Sequence, residues 1–327
     1  MTRTVHTEHR TLIAAPAESV YQIVAEVTRW PLFFRPTVHA RVLERDNDQE
    51  IIRLWAFAND EVRTWTSRRR LDPHALRVEF RQTNCTAPIA SMRGEWLLKP
   101  VDATSTTVAF GHEYRAVDDD PGHAAWIAEA VERNSNAELA ALKAAAENHD
   151  RMDELVLSFD DTVPVDGSAY DVYEFLFQAQ EWPRRLPHVS RLDLREDASG
   201  VQFMEMDTRA PDGSVHTTAS VRVGFPDEAI VYKQVRVPAL MNAHIGEWRI
   251  RWEGEGVRLI SHHDVLLNDA LVERVLGPQA TLADARTFVR NALGTNSRTT
   301  MERAREYAEE RRRAEEEPRR AEEYRRD

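Results

Sequence analysis

The residue types best suited to chemistry stand together in residues 62–69, VRTWTSRR. The alternation and the β-branched and aromatic content of this stretch predict a β-strand. Successive strand side chains point to opposite faces, so one face carries Arg63, Trp65, Ser67 and Arg69. A ring, a hydroxyl and a guanidinium on one face could line a pocket, in which the cation would stabilise negative charge on an oxygen. The alternative is an exposed strand with solvated arginines, since arginines lie mostly at the surface.

The chain repeats itself once. Trp30-Pro31 recurs 152 residues later as Trp182-Pro183, and Gly94-Glu95-Trp96 recurs at the same spacing as Gly246-Glu247-Trp248. A period near 150 residues is too long for a solenoid repeat and predicts a duplicated domain. We therefore expect an N-terminal domain over 1–150, a C-terminal domain over 151–315, and a charged tail over 316–327.

The chemical stretch is part of this duplication. Residues 62–69 align with residues 215–222, so Ser220 and Arg222 match Ser67 and Arg69. His216 and Thr218 stand where the first copy has Arg63 and Trp65, which makes the second face more polar and gives it a titratable group.

Each half follows one plan, which predicts how these side chains are positioned. A strand is followed by a short helix that should end at Trp-Pro, where proline favours extended or turn structure. A run of strands and a long helix follow, with a strong hairpin signal at Pro211-Asp212-Gly213. This order predicts an α+β fold, in which a curved antiparallel sheet wraps around the long helix and leaves a cleft between them. We expect the long helices over 124–148 and 282–313.

Composition narrows the range of partners and locations. The formal net charge is −12, which argues against nucleic acid as the main partner. No apolar run reaches the length of a membrane span, and the single cysteine, Cys85, fits a reducing cytoplasm. We find no sequence cluster of metal ligands and no glycine-rich phosphate loop, so we expect no metal and no cofactor.

Aromatic and histidine side chains complete the set of candidates. In the first copy, Trp30, Phe33, Phe34, Trp65 and Trp96 could mould a flexible substrate, or they could fill the core. For Trp55 the alternation does not distinguish pocket from core. Histidines that could transfer protons are His112 in the first copy and His216 and His263 in the second.

The duplicated plan, together with Trp30-Pro31, residues 65–69 and Gly94-Glu95-Trp96, resembles the aromatase/cyclase family of bacterial aromatic polyketide synthesis. That family belongs to the Bet v 1/START-like helix-grip superfamily, so the resemblance implies two tandem helix-grip domains. It also implies first-ring (C7–C12) aldol cyclisation and dehydration of a poly-β-ketone that is reduced at C9. The implied partners are the acyl carrier protein that bears the polyketide and other type II polyketide synthase subunits.

By position, the resemblance places Arg69 and Ser67 where the family has its pocket arginine and serine, and it places Trp30, Trp65 and Trp96 at pocket aromatics. In the aldol and dehydration steps that it implies, Arg69 could stabilise enolate and alkoxide charge, Ser67 could hold a water and His112 could act as acid or base. The corresponding catalytic candidates in the second copy are Arg222, Ser220, His216 and His263. The substrate-binding candidates are Trp30, Phe33, Phe34, Trp65, Trp96, Trp182, Thr218 and Trp248.

One point departs from a simple carry-over. Some single-domain members have a tyrosine a few residues after Trp-Pro, where this chain has Thr37 in the first copy and Val189 or Ser190 in the second.

Two alternatives also stay open: a non-catalytic carrier of hydrophobic ligands, since the fold alone does not fix function, and a chain in which one copy is catalytic and the other a scaffold.

Overall fold

The chain divides into two compact units, Met1–Met152 and Asp153–Asp327. The computed structural model describes residues 3–59, 61–209 and 213–323, with side chains up to residue 317. Within this described part, no helix combines the length and the apolarity that a bilayer crossing requires.

The first unit contains seven strands and three α-helices. The strands are β1 (Val5–Ile13), β2 (Thr37–Asp46), β3 (Gln49–Ala58), β4 (Glu61–Asp72), β5 (Arg77–Gln82), β6 (Ile89–Asp102) and β7 (Ser105–Ala116). The helices are α1 (Ala17–Ala25), α2 (Trp30–Phe33) and α3 (Pro121–Ala146), with 3₁₀ turns at Val27–Arg29, Val117–Asp119 and His149–Arg151.

The second unit repeats this order after a short helix, α4 (Met152–Leu155). Its strands are β8 (Val156–Val165), β9 (Val189–Glu196), β10 (Val201–Arg209), β11 (Val215–Phe225), β12 (Ala229–Arg236), β13 (Met241–Glu253) and β14 (Gly256–Leu267). Its helices are α5 (Ala169–Phe177), α6 (Trp182–Arg185), α7 (Val272–Leu276) and α8 (Leu282–Glu323), with 3₁₀ turns at Ala179–Glu181 and Asp269–Leu271.

Both sheets have one topology. The strand order is β1-β7-β6-β5-β4-β3-β2 in the first unit and β8-β14-β13-β12-β11-β10-β9 in the second, with antiparallel pairing throughout. The predicted α+β architecture with two tandem sheet-and-helix domains is therefore confirmed.

The long helix α3 begins and packs as its sequence dictates. The Asp120 carboxylate accepts a hydrogen bond from the backbone N–H of His123 at 2.7 Å, and Pro121 occupies the first turn. Leu139 and Leu142, in the C-terminal half, pack in the main core of the first unit. The N-terminal half packs in a separate cluster. The space between these two clusters contains the cavity described below.

The prediction that each Trp-Pro pair adopts extended or turn structure is wrong. Trp30 and Trp182 each start a one-turn helix, with the proline in its first turn. Proline is tolerated there because the first N–H groups of a helix have no intrahelical partner. Each turn folds its tryptophan into the core.

Two further predictions concern chain connections. Pro211 and Asp212 of the predicted hairpin lie outside the described residues, but β10 and β11 on either side pair in antiparallel register. Helix α8 continues to Glu323, beyond the predicted end at residue 313 and into the segment predicted as a charged tail.

The register places a glycine where the sheet has no room for a side chain. Gly94 lies opposite Phe80 on β5 and His112 on β7. A Cβ at Gly94 would overlap the Gly111 carbonyl oxygen and come within 2.5 Å of Phe80 Cζ. The glycine therefore lets the Phe80 ring lie flat over the sheet, at the wall of the cavity.

We predict that Gly94→Ala destabilises the first unit by about 1–3 kcal/mol, because the added methyl must displace Phe80 or the neighbouring strand. Gly111→Ala is the matched control, since its Cβ would meet nothing closer than 3.9 Å. Urea unfolding followed by tryptophan fluorescence measures both. Equal midpoints for the two variants would contradict the close approach at Gly94.

Candidate active site

A cavity of about 160 Å³ lies inside the first unit, between the concave face of the sheet and α3. Four side chains predicted to share a strand face, Arg63, Trp65, Ser67 and Arg69, all line it. Arg68, from the opposite face of β4, is exposed on the outer side of the sheet. The pocket interpretation of this stretch is thus correct, and the solvated-strand alternative is wrong.

Arg69 is held at the inner end of the cavity by the first helix. Its side chain is 1% exposed, and Nη2 donates to the carbonyl oxygens of Val24 (3.2 Å) and Ala25 (2.8 Å), the last residues of α1. Nε lies 3.4 Å from Oε1 of the buried Glu50, and the guanidinium lies 5.1 Å from the Trp30 ring centroid. Within the described chain, Nη1 has no hydrogen-bond partner.

These contacts define the charge state of Arg69. Burial lowers the pKa of Arg69 to about 10, against the opposing effect of Glu50, and the group stays protonated at neutral pH. A cation at a helix C-terminus interacts favourably with the helix dipole. Arg69 thus ties α1 to the sheet through Nη2, and its Nη1 has no hydrogen-bond partner among the described residues.

Aromatic rings form much of the cavity wall. Trp96 and Phe110 stack with ring centroids 3.5 Å apart, and both line the cavity together with Trp30 and Trp65. The predicted ligand contacts Phe33 and Phe34 are not among the lining residues. Phe34 is fully buried and packs edge-on against Trp30, whereas Phe33 lies under the Arg29 guanidinium at 5.3 Å. Trp55, left undecided by sequence, lies beside His39 and does not line the cavity.

His112 reaches the cavity in the position that the sequence suggested. Its ring packs 4.3 Å from Phe110 and 5.5 Å from Phe80, and its Nδ1 is buried without a hydrogen-bond partner in the described residues. Burial, with a smaller contribution from His9, lowers the pKa of His112 to about 3. The imidazole is neutral at physiological pH, so it can hydrogen-bond to a substrate but does not supply a proton as an imidazolium.

The helix opposite supplies an acid that sequence reasoning missed. Asn134, Ser135 and Glu138 of α3 line the cavity, and the Ser135 hydroxyl is buried without a partner in the part of the chain described. Desolvation raises the pKa of Glu138 to about 8. Helical spacing could have revealed this group, because Glu138 follows Asn134 by four residues and Ala130 by eight, on the inward face.

Glu50 was also missed, although alternation along β3 could have revealed it. Glu50 has the same parity as Ile52 and Leu54, which line the cavity, and lies opposite Arg69 in the strand pairing. Its other oxygen accepts from Arg45 at 2.8 Å. The buried Glu50 carboxylate therefore lies between the buried Arg69 and the exposed Arg45.

Arg63 lies at the outer end of the cavity, where the cavity has its entrance. Its guanidinium lies 5.3 Å from the ring centroid of Trp126 on α3 and donates to the Ala87 carbonyl at 3.4 Å. Ala87 belongs to the loop between β5 and β6. Residues 86–88 of this loop line the cavity together with Ile89, the first residue of β6. The entrance thus lies between this loop and the first turns of α3.

The second unit repeats the buried arginine with different partners. Arg222 Nη2 donates to the Leu176 carbonyl at 2.6 Å and Nη1 donates to Gln202 Oε1 at 2.7 Å. Its guanidinium lies 5.1 Å from the Trp182 ring centroid. Gln202 occupies the register position of Glu50, opposite the arginine. Both terminal nitrogens of Arg222 are therefore used within the protein, unlike those of Arg69.

The remaining candidates of the second unit fall in two places. His263 is buried, where Nδ1 lies 2.9 Å from His244 Nε2 and Nε2 lies 3.0 Å from Ser261 Oγ. His216 is exposed at the start of β11, beside Ser214. Trp182, Ser220 and Trp248 are buried and Thr218 is half-buried. His216 is thus not brought together with His263.

The strand register shows which positions of the two interiors correspond. His263 lies opposite Gly246 as His112 lies opposite Gly94. Three apolar positions of the first unit have polar equivalents in the second: Phe80, Met92 and Phe110 correspond to Tyr232, His244 and Ser261. At these three positions the first interior is apolar, whereas the second contains the hydrogen-bonded chain Ser261–His263–His244.

Comparison with known proteins identifies close relatives. Residues 13–140 match the family described as "Polyketide cyclase / dehydrase and lipid transport". The chain is 44% identical over 308 residues to the granaticin polyketide synthase bifunctional cyclase/dehydratase of Streptomyces violaceoruber, covering 94% of this chain and 95% of the relative. It is 45% identical over 314 residues to the actinorhodin polyketide synthase bifunctional cyclase/dehydratase of Streptomyces coelicolor, covering 92% and 95%.

Two solved structures share both domains. The di-domain aromatase/cyclase BexL, from the BE-7585A biosynthetic pathway, matches with a TM-score of 0.84 and 52% identity over 93% of this chain and 99% of that one. The di-domain aromatase/cyclase StfQ, from the steffimycin biosynthetic pathway, matches with a TM-score of 0.83 and 36% identity over the same shares.

We predict that Glu138 titrates near pH 8. Because its folded pKa lies above its ordinary value of 4.5, the folded state holds a proton that the unfolded state has lost. The free energy of unfolding therefore falls as pH rises from about 5 to about 8. Glu138→Gln removes this contribution, so the stability of the variant relative to wild type should increase over that range.

Carbon-13 NMR of glutamate carboxyls would check this directly, with the variant identifying the Glu138 resonance. A midpoint near 4.5, or parallel stability profiles for the two proteins, would contradict a desolvated Glu138.

Proposed function

This chain belongs to the family of bifunctional polyketide cyclase/dehydratases, and we propose that its N-terminal cavity closes and dehydrates the first ring of a carrier-bound poly-β-ketone. The finer assignment, C7–C12 closure on a chain reduced at C9, follows from the family resemblance. An acyl carrier protein and other type II synthase subunits are the proposed partners. The cytoplasm, where such a synthase would work, is the proposed location.

The observation that supports this function most is the set of unused polar groups around one cavity. Arg69 Nη1, His112 Nδ1 and Ser135 Oγ have no partner within the described residues, although each is buried. Buried polar groups are normally hydrogen-bonded, and leaving one unpaired costs about 1–3 kcal/mol. Small side-chain movements on binding would bring these buried atoms into contact with oxygen atoms of a polyketone, which would satisfy them.

The cavity volume also fits the formation of one ring. A cavity of about 150 Å³ accepts a benzene molecule, and the volume of the cavity here is about 160 Å³. One six-membered ring would therefore fill the interior, and the remaining chain would leave past Arg63 and Trp126. Holding the folded chain in this mould lowers the entropic part of the barrier to ring closure.

Glu138 is the proposed proton shuttle in the aldol step. As a carboxylate, it takes a proton from the methylene carbon between two carbonyls, and the enolate oxygen is stabilised by Arg69. The enolate carbon then attacks a ketone carbon, and the resulting alkoxide takes the proton back from Glu138. A carboxyl with a pKa near the working pH suits both halves of this transfer.

Dehydration uses the same shuttle. Glu138 removes the remaining proton beside the carbonyl, the C–O bond to the ring hydroxyl breaks, and the protonated Glu138 gives its proton to the departing hydroxide to form water. Neutral His112 and Ser67 would hold substrate oxygens in place. The aromatic walls exclude water and so strengthen the electrostatic effect of Arg69.

We assign ring closure to the first unit and a supporting role to the second. The difference between Arg69 and Arg222 supports this assignment, because both terminal nitrogens of Arg222 are bonded to Gln202, Leu176 and Phe177. A donor that is fully used within the protein has less to offer a developing oxyanion.

We predict that Glu138→Gln lowers the rate of first-ring formation by about 10²-fold, as expected for the loss of a general acid–base group. Arg69→Lys should lower it by about 10²–10³-fold through the loss of oxyanion stabilisation. Arg222→Lys, the matched change in the second unit, removes the same contact between helix and sheet but leaves the first cavity intact, so turnover per folded molecule should stay near the wild-type rate. Product analysis of a reconstituted synthase measures all three, and circular dichroism checks folding.

The outcomes separate the competing functions. If product formation needs the protein but all three variants are as active as wild type, the chain acts as a carrier of hydrophobic ligands. If Arg222→Lys is inactive and Arg69→Lys is active, chemistry occurs in the second unit. A ring closed at positions other than C7 and C12 would overturn the regiochemical assignment.

A further inference from the structure

The outer face of the first sheet carries three arginines that no acid neutralises. Arg53 on β3, Arg68 on β4 and Arg81 on β5 are exposed, and none of their side chains forms a hydrogen bond or ion pair with another described residue. Arg68 and Arg81 lie directly opposite each other, and Arg53 is two residues beyond the partner of Arg68 on β3. We call these three residues the arginine stripe.

The arginine stripe is unfavourable for the sheet itself. Like charges at directly opposite positions of neighbouring strands destabilise the pairing. Other arginines of this face have acidic partners: Arg70 pairs with Asp48 at 2.9 Å and Arg93 with Glu113 at 2.6 Å. Among these five arginines, only the three of the arginine stripe lack an acidic partner.

The duplicated unit keeps a cation at only one of these three positions. The positions equivalent to Arg53, Arg68 and Arg81 are Glu205, Val221 and Lys233, which have the same register in the second sheet. Glu205 pairs with Arg191 at 2.5 Å. A row of unneutralised arginines is thus a feature of the catalytic unit and not of the shared architecture.

The arginine stripe lies against the wall of the cavity. Arg68 stands between Ser67 and Arg69, which line the cavity from the other side of the same strand, and Arg81 precedes Gln82, which also lines it. Strand β5 then leads into the loop at the cavity entrance. A molecule bound on the arginine stripe would therefore lie near the end of β5 that leads to the entrance.

We propose that the arginine stripe docks an acidic surface of the protein that carries the substrate. This proposal rests on the proposed function, which requires a carrier-bound polyketone. The chain has a net charge of −12, so an acidic partner is repelled by most of its surface and oriented by a local positive site. The three cations are spread over three strands at about 5 Å per strand, which suits several carboxylates of a protein surface better than one small anion.

The test is a double charge reversal, Arg68→Glu with Arg81→Glu, since either change alone would create a new ion pair across the strands. Arg251→Glu with Arg274→Glu is the control, because both residues are exposed, lie in the second unit and give the same change in net charge. Binding of phosphopantetheinylated acyl carrier protein is measured by fluorescence anisotropy at several salt concentrations. Turnover is measured with a carrier-bound substrate and with a carrier-free thioester of the same polyketone.

We expect the Arg68/Arg81 variant to bind the carrier about tenfold more weakly, with a smaller salt dependence. Its kcat/KM should fall by a similar factor for the carrier-bound substrate and stay unchanged for the carrier-free thioester, and the control should resemble wild type. Unchanged carrier binding, or equal losses in the control, would overturn the docking site. If the wild-type protein converts neither substrate, the proposed function is wrong. The measurement of carrier binding then tests the arginine stripe by itself.

Discussion

The structure of each domain depends on one buried guanidinium. Moving a charge out of water is costly unless it is paired and hydrogen-bonded. Arg69 meets this requirement with the terminal carbonyls of α1 and with Glu50, and Arg222 meets it with the end of α5 and with Gln202. In both domains the arginine thereby fixes the first helix against the sheet, and this contact shapes the inner end of the interior.

A small difference between these two sites separates their uses. In the first domain the arginine faces a carboxylate and keeps one N–H group unbonded. In the second domain an amide replaces the carboxylate and accepts that N–H. The same residue thus completes a closed hydrogen-bond set in one copy and leaves an open position beside a cavity in the other. Duplication preserved the skeleton while the chemistry of the two interiors diverged.

Much of this organisation could be predicted from the sequence. The constant spacing between repeated motifs indicates two domains, and strand alternation places Ser67 and Arg69 on an inward face. The sequence also pointed to His112 and His263, which occupy equivalent register positions. The face of a strand is predictable because it depends on local alternation, and the duplication is predictable because the motifs recur at one spacing; the roles of the two histidines stay predictions.

The misses have a common physical cause. Glu138 and Glu50 looked like ordinary surface acids because burial and loss of solvent are properties of the assembled domain. Phe34 was expected at the ligand, but the helical turn at Trp30 rotates it into the core. His216 was grouped with the catalytic candidates by alignment alone, whereas its place at the start of β11 leaves it in solvent.

The central claim is that Arg69 and Glu138 act on a ring formed in the first cavity. A structure of the protein with an unreactive one-ring analogue of the cyclised product tests this most directly. We expect the ring between Trp65 and Trp96, one oxygen within about 3.2 Å of Arg69 Nη1, and a second oxygen beside the Glu138 carboxyl. An analogue bound in the second unit, with Arg69 Nη1 and Glu138 both without a contact to it, would contradict the account.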